Sequence, residues 1–595
     1  MDLFSRFNNY PIDSAQRPSL DSYIDFSEKE AIYPILESCL NQCSQLIHDK
    51  YLPTLSLSCG NGFMFHTFKQ LPNLLFKVMT LQKVANTFPD RIVLNCFEEE
   101  LDYYDAEKSI NRLASIYALI AERMPTIFEV KNIGKHQFKI PQIKNTSISN
   151  PILRFSNVPI EVLWVKISRL SLKRLKCRPG KTIFVAGQNG LINEILSKSG
   201  SRFEYVEIYD RLLRVYDSAP LTKVVSEDEI KIIFDESFRV SRDSIGLNRA
   251  FYQVFCDIAV EILNHKVNKL INSAPLLYQA VGELKERYKA SVILSDGLYA
   301  IPGIAISNAL RKNGIRIISA EHGLTAGISK WRTRTINYNE PNTCDVIMTY
   351  NKMSTATFLS SSNKNLKCVE CGAPQETKKL RYYRLQRIVS RKRLKVQSVT
   401  VFYVSTNLLT NNNCFFPHYS PDHIRDRVET SLLDNVLSNV NKRVIYKYYP
   451  SQNYLYDENP YAKRAKLIPN IVVSEEEDFR YIRSAADVIM TSAPFSTLGW
   501  CVGLDKPIVY LDSPMFQPLE NDLVSKAFDE CFFVFNIDLV GWEQRLLEFL
   551  NKSFEEIESR WQEKSRYRKQ YDNIYFLNRG KNAGQVGADF ISNII

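Results

Sequence analysis

The stretch that most constrains this chain is residues 485–512, AADVIMTSAPFSTLGWCVGLDKPIVYLD. Val488 to Met490 is a short apolar run of strand length. Thr491 to Ser496 gathers Ser, Ala, Pro and Phe, which suits a turn. Thr497 to Leu504 is spaced as a helix, Lys506-Pro507 ends it, and Ile508 to Leu511 starts a second strand. Strand, turn, helix, strand is one unit of an α/β sheet. Ser496 and Thr497 at the helix start suit an N-cap. Their hydroxyls and the free N–H groups behind them also suit an anion such as phosphate. The same residues describe an ordinary capped helix equally well.

The unit recurs. Lys181 to Ala186 is a strand, and Gly187-Gln188-Asn189-Gly190 a turn into a helix. Glycine there lets backbone approach a ligand closely. The spacing is not GxGxxG, so it is no dinucleotide fingerprint. Ser291 to Ser295 leads to Asp296-Gly297, and Ile315 to Ala320 leads to Glu321-His322-Gly323. Ligands of open α/β sheets sit beyond such strand ends. Asp296 and His322 are therefore expected in one crevice. The pattern restarts after residue 397. Val399 to Val404 ends in Ser405-Thr406-Asn407, and Arg443 to Tyr446 runs into Lys447-Tyr448-Tyr449-Pro450.

A chain of 595 residues has room for two large domains. Its 45% hydrophobic and 24% charged content is globular. A net charge of +11 favours acidic partners: sugar nucleotides, anionic glycans or an anionic membrane face. No zinc-finger or RNP-like motif speaks for nucleic acid. The 12 cysteines are scattered, and Cys368-Val-Glu-Cys371 lacks the second pair of a zinc site. No signal-peptide core and no membrane-spanning apolar run is found. The reading is a reduced, cytoplasmic protein. Two basic segments stand out, Lys166 to Lys176 beside an apolar stripe and Lys378 to Lys395. Each is either a membrane-facing patch or a solvated helix side. Residues 1–150 read as a largely helical extension, whether part of an α/β layer or an accessory unit.

Ser496-Thr497-Leu498-Gly499-Trp500, followed by Asp505-Lys506-Pro507-Ile508-Val509, resembles the nucleotide-sugar motif of GT-B glycosyltransferases. The likeness is to the bacterial surface-polysaccharide kind that includes capsule and O-antigen Kdo transferases. It extends to the glycerophosphotransferases of teichoic acid synthesis. Asp296 and Glu321-His322-Gly323 are similar to the amino-domain catalytic signature of Kdo-transferase-like proteins. The Gly187 turn and Lys447 with Pro450 fall in the same family order.

The resemblance implies an α/β GT-B fold, two Rossmann-like domains facing across a cleft, with a helical N-terminal extension. The expected segments are an acceptor-side domain 1–375, a basic linker 376–396, a nucleotide-sugar domain 397–570 and a returning helix 571–595. The implied activity is metal-independent glycosyl transfer without a cofactor. The donor would be a nucleotide sugar, a CMP-activated Kdo-like or nonulosonic acid. The acceptor would be a lipid-linked capsule or lipopolysaccharide glycan, met at the cytoplasmic face of the inner membrane. Asp296, His322 and Glu321 are the implied catalytic residues, with Asp296 a base in an inverting route or a nucleophile in a retaining one. Ser405, Thr406, Lys447, Tyr449, Ser492, Ser496 and Thr497 would hold the donor. Gln188, Glu194, Lys330, Arg332 and Arg334 would meet the acceptor or a sugar carboxylate. For Glu194 a plain helix-surface position is the competing reading. A CDP-glycerol-type glycerophosphotransferase, a nucleotide-sugar 2-epimerase and a non-catalytic glycan- or membrane-binding scaffold are the alternatives.

Overall fold

The computed structural model describes residues 26–51, 71, 74–88, 92–96, 114–132, 181–200, 202–239, 243–298, 301–334, 336, 340–361, 363–378, 383–405, 422–448, 460–474, 478–492 and 494–595. The basic segment at 166–176 lies outside them, as do Thr406, Tyr449 and Pro450.

Strands β1 (Ile92–Cys96) and β2 (Phe128–Asn132) pair in parallel as a small separate sheet. The first large sheet uses β3 (Thr182–Ala186), β4 (Glu204–Glu207), β5 (Val292–Ser295), β6 (Arg316–Ala320), β7 (Val346–Thr349) and β8 (Lys367–Glu370). Its spatial order is β4-β3-β5-β6-β7-β8, parallel throughout. The second uses β9 (Thr400–Val404), β10 (Arg443–Lys447), β11 (Ile471–Ser474), β12 (Val488–Thr491), β13 (Ile508–Asp512) and β14 (Phe533–Asn536). Its order is β11-β10-β9-β12-β13-β14, again all parallel. Helices cover parallel sheets on both faces, so their strands are continuous apolar runs. β3, β5, β7, β9 and β12 are buried along their whole length.

Both sheets are doubly wound, giving the two Rossmann-like domains expected of this chain. The strand order reverses between β3 and β5 in the first sheet and between β9 and β12 in the second. At such a switch point the connections leave to opposite faces and open a crevice beyond the strand ends.

The N-terminal region is not a detached unit. Tyr33, Leu36, Leu74 and Leu75 share one core with Phe184, Ile293 and Ile317 of the first sheet. The 40-residue helix Arg249–Tyr288 lies in that core. A second core runs from Ile183 and Leu294 through to Phe402 and Ile489, so the inner faces of the two domains are packed together.

The crossing between the domains holds the helices Gln375–Lys378 and Tyr383–Arg393. Two of its basic residues turn inward. Arg387 and Arg391 both pair with Asp487 and also donate to the carbonyls of Ala486 and Ala485. Lys378 is buried, and its Nζ donates to Lys581 O at 2.6 Å. A polyanion therefore does not meet these three groups. The last helix, Ala583–Ser592, packs back on the helix Gly190–Ser197. Among the described residues no helix is long and apolar enough to cross a membrane.

Candidate functional site in the interdomain crevice

The first wall begins at Gly187, just past β3. Its φ of +85° is left-handed, and a Cβ there would run into the Asp296 carboxylate. Only glycine satisfies both conditions. The turn brings Gln188 N–H onto Asp296 Oδ2 at 2.9 Å. Asn189 caps the next helix by accepting from Ile192 N–H at 2.8 Å, while its Nδ2 donates to Ala320 O at the tip of β6. Asp296 N–H donates to Ala186 O at 3.1 Å. The tips of β3, β5 and β6 are thus tied together around Asp296. Burial and the Asp296 charge push the nearby Tyr209 hydroxyl up.

His322 is exposed beyond β6. Glu321 points the other way. It is buried, and its Oε2 accepts from Tyr350 N–H at 2.7 Å. Burial pushes its carboxyl up to about 8. With His322 outward, Glu321 is turned under the sheet end and does not line the crevice as a catalytic group.

Among the residues expected to meet acceptor or carboxylate, Gln188 is exposed at the turn and Lys330 is exposed. Arg332 Nη2 instead donates to both oxygens of the buried Glu340, at 2.9 and 3.0 Å. Its charge is matched internally. The side chain of Arg334 lies outside the described residues. Glu194 is neither at the surface nor open to an acceptor. Its carboxylate accepts from Gln375 N–H at 2.6 Å and Gly584 N–H at 3.1 Å. It joins the linker, the returning helix and the Gly187 turn helix.

The second wall stands on β9, β10 and β12. Ser496 and Thr497 are half-buried at the start of the helix Ser496–Val502. The N-cap position belongs to Phe495, with no side-chain cap, so neither hydroxyl closes the helix. Ser492, at the β12 tip, is buried, and its Oγ accepts from Arg425 Nη1 at 3.2 Å. Ser405 Oγ donates to Glu429 Oε1 at 2.9 Å. Lys447 is buried too, its Nζ donating to Ser474 O at 3.1 Å.

Sequence reasoning missed the network below this wall. Glu429 is fully buried and accepts from Tyr403, Ser405 and Tyr446. Burial raises its carboxyl, opposed by Arg425. Asp512, at the β13 tip, is pushed up to about 7 by burial and by the charges of Asp538 and Asp529. Arg425 and Glu429, four apart on one helix, were the available signal.

The two walls touch. A Cβ on Gly323, next to His322, would lie 2.5 Å from Ser496 Cβ. Among the described residues no cluster of His, Cys, Asp and Glu has metal-site geometry.

No family model matches the chain, and no curated protein matches it. Solved structures do. UDP-GlcNAc 2-epimerase from Neisseria meningitidis, bound to UDP-GlcNAc, is 12% identical over 69% of this chain and 98% of its own, with a TM-score of 0.34. HepE from Anabaena, in complex with UDP and glucose, is 12% identical over 70% of this chain and 99% of its own, at 0.38. UDP-GlcNAc 2-epimerase from Methanocaldococcus jannaschii, with UDP-GlcNAc and UDP, is 11% identical over 69% and 98%, at 0.39. Such likeness concerns architecture only.

Proposed function

We propose that the chain binds a nucleotide sugar in the crevice and breaks the bond between its anomeric carbon and phosphate. The observation that carries this reading is the contact between the two rims: Gly323, beside His322 and one strand away from the switch point that holds Asp296, rests on Ser496, beyond β12 at the other switch point. The second domain would hold the nucleotide, with the Ser496 and Thr497 hydroxyls near the phosphate. Preset dipoles aimed at a departing phosphate stabilise its growing charge. Asp296 would act from the first domain, taking the acceptor proton as the sugar bond breaks. The product is a glycosylated acceptor. By the resemblance, the donor is a CMP-linked acidic sugar and the acceptor a lipid-linked glycan.

Nucleotide-sugar 2-epimerisation is the second reading. Asp296 and His322 on one rim would equally serve to remove and return the proton at C2. The first bond cleavage is the same.

Calorimetric titration with CMP, CDP, UDP and GDP tests the common part. Saturable binding of one of them supports it, and no heat with any of them overturns it. UDP-GlcNAc in D2O then separates the two readings. Epimerisation places deuterium at C2 with no acceptor present. Transfer leaves the C2–H bond intact and releases nucleotide only as an acceptor is glycosylated.

A further inference from the structure

One short segment of the second domain belongs to both walls at once. Residues 518–520 lie against residues 328–330 of the first domain as a single antiparallel rung. Lys330 N–H donates to Pro518 O at 3.3 Å, Glu520 N–H donates to Ile328 O at 2.8 Å, and Ser329 faces Leu519. The residue just before this rung is Gln517, which is 3% exposed. With its amide oriented to satisfy both ends, Nε2 donates to Ser492 O at 3.1 Å, and Oε1 accepts from Arg425 Nη2 at 3.2 Å. Arg425, 5% exposed, also donates to Ser492 Oγ. Ser492 is therefore held at its carbonyl by Gln517 and at its hydroxyl by Arg425. The near end of the segment is stiff. Ser513 Oγ and Met515 N–H both donate to Asp538, and Gln517 N–H donates to Ser513 O at 2.7 Å.

We propose that Gln517 is a positioning residue that couples closure of the two domains to the placement of Ser492, where the turn towards Ser496 and Thr497 begins. The proposal rests on the reading that this turn holds the nucleotide. When the domains part, the rung is lost and residues 518–520 are released. Gln517 then no longer fixes the Ser492 carbonyl. Buried hydrogen bonds with neutral partners weaken steeply with misalignment, so a small shift suffices. The coupling is reciprocal: a nucleotide that orders the turn favours the closed rung.

The test is a disulfide across the rung. Ser329 and Leu519 form the non-hydrogen-bonded kind of antiparallel pair, whose Cα atoms lie about 4.5 Å apart. That falls inside the range a disulfide spans, roughly 4.4–6.8 Å. Full-length S329C/L519C is compared oxidised and reduced, with the wild type treated alike because of its own cysteines. Amide hydrogen exchange at Thr491 and Ser492, clear of the Gly323 contact on Ser496, is the first readout and needs no ligand. Oxidation should slow it about 10-fold, and adding Gln517→Ala should abolish the difference. Dissociation of UDP and CMP should slow by a similar factor. Equal exchange in both redox states overturns the proposal, as does a difference that persists without the Gln517 amide. Gln517→Met, similar in length, replaces Gln517→Ala if the latter melts early. If neither UDP nor CMP binds, the nucleotide reading fails, while the exchange experiment still decides the coupling.

Discussion

Gly323 and Ser496 meet across the crevice with no side chain between them. A Cβ on Gly323 would stand 2.5 Å from Ser496 Cβ and 3.2 Å from its Cα. Gly323→Ala must displace backbone, and overpacking of this kind costs about 1–3 kcal/mol. Parting the domains relieves it. We expect a melting temperature lowered by several degrees and nucleotide affinity weakened about 10-fold, read by calorimetry. Gly580→Ala is the control, because a Cβ there meets nothing within 4 Å.

Asp296→Asn keeps an oxygen for the Gln188 N–H and removes the charge. A group acting in proton transfer contributes about 10²- to 10⁴-fold. Turnover should fall by that factor, with the melting temperature and nucleotide affinity held. Full turnover in this variant would remove Asp296 from the chemistry. Gly187→Ala should reproduce the loss by pushing on the same carboxylate.

The sheets and the strand-tip residues were legible because parallel strands are written as apolar runs ending in polar residues. Asp296 and His322 were found that way, and both stand at or next to a switch point. Glu321 was expected in the crevice from the same motif, and the structure buries it against Tyr350 N–H. The motif says which residues lie at the tip, and only the packing of the next strand's end, with Tyr350 N–H, says which of them turns under. Glu194 and Arg332 were expected to meet an acceptor or a sugar carboxylate, but their partners, Gly584 and Glu340, are brought to them by packing. Gln517 carried no signal at all. Its meaning comes from its own bond to Ser492 and from the bond between its chain neighbour Pro518 and Lys330, and Ser492 and Lys330 are far apart in the chain.

Glu321 makes stability depend on pH. Its folded pKa, about 8, lies above the unfolded value near 4.5. For a raised carboxyl the contribution is fully present below the unfolded value and is lost as pH rises through the folded one. The protein should therefore lose stability between about pH 4.5 and 8 through this residue. Glu321→Gln can still accept from Tyr350 N–H and does not ionise. Its melting temperature should match the wild type at pH 5 and exceed it at pH 8. Parallel curves for the two proteins would show that Glu321 is not the titrating group.

Arg483 pins the linker to the second wall. It is 1% exposed, and burial lowers its guanidinium to about 10. Nη1 donates to Trp500 O and Nη2 to Glu376 O, each at 2.6 Å. The first carbonyl belongs to the helix that opens with Ser496, the second to the helix Gln375–Lys378 in the domain crossing. Gly503 lets the two helices close up, since a Cβ there would strike Thr377 O. A planar fork can span two carbonyls on separate segments, and an ammonium on a flexible stem cannot do so with the same geometry. Arg483→Lys should leave at least one buried carbonyl unpaired, at a cost of about 1–3 kcal/mol. Because the lost link joins crossing to wall, scanning calorimetry should show the second domain melting apart from the first. A single transition, merely shifted down, would assign Arg483 to the second domain's own packing and not to the link.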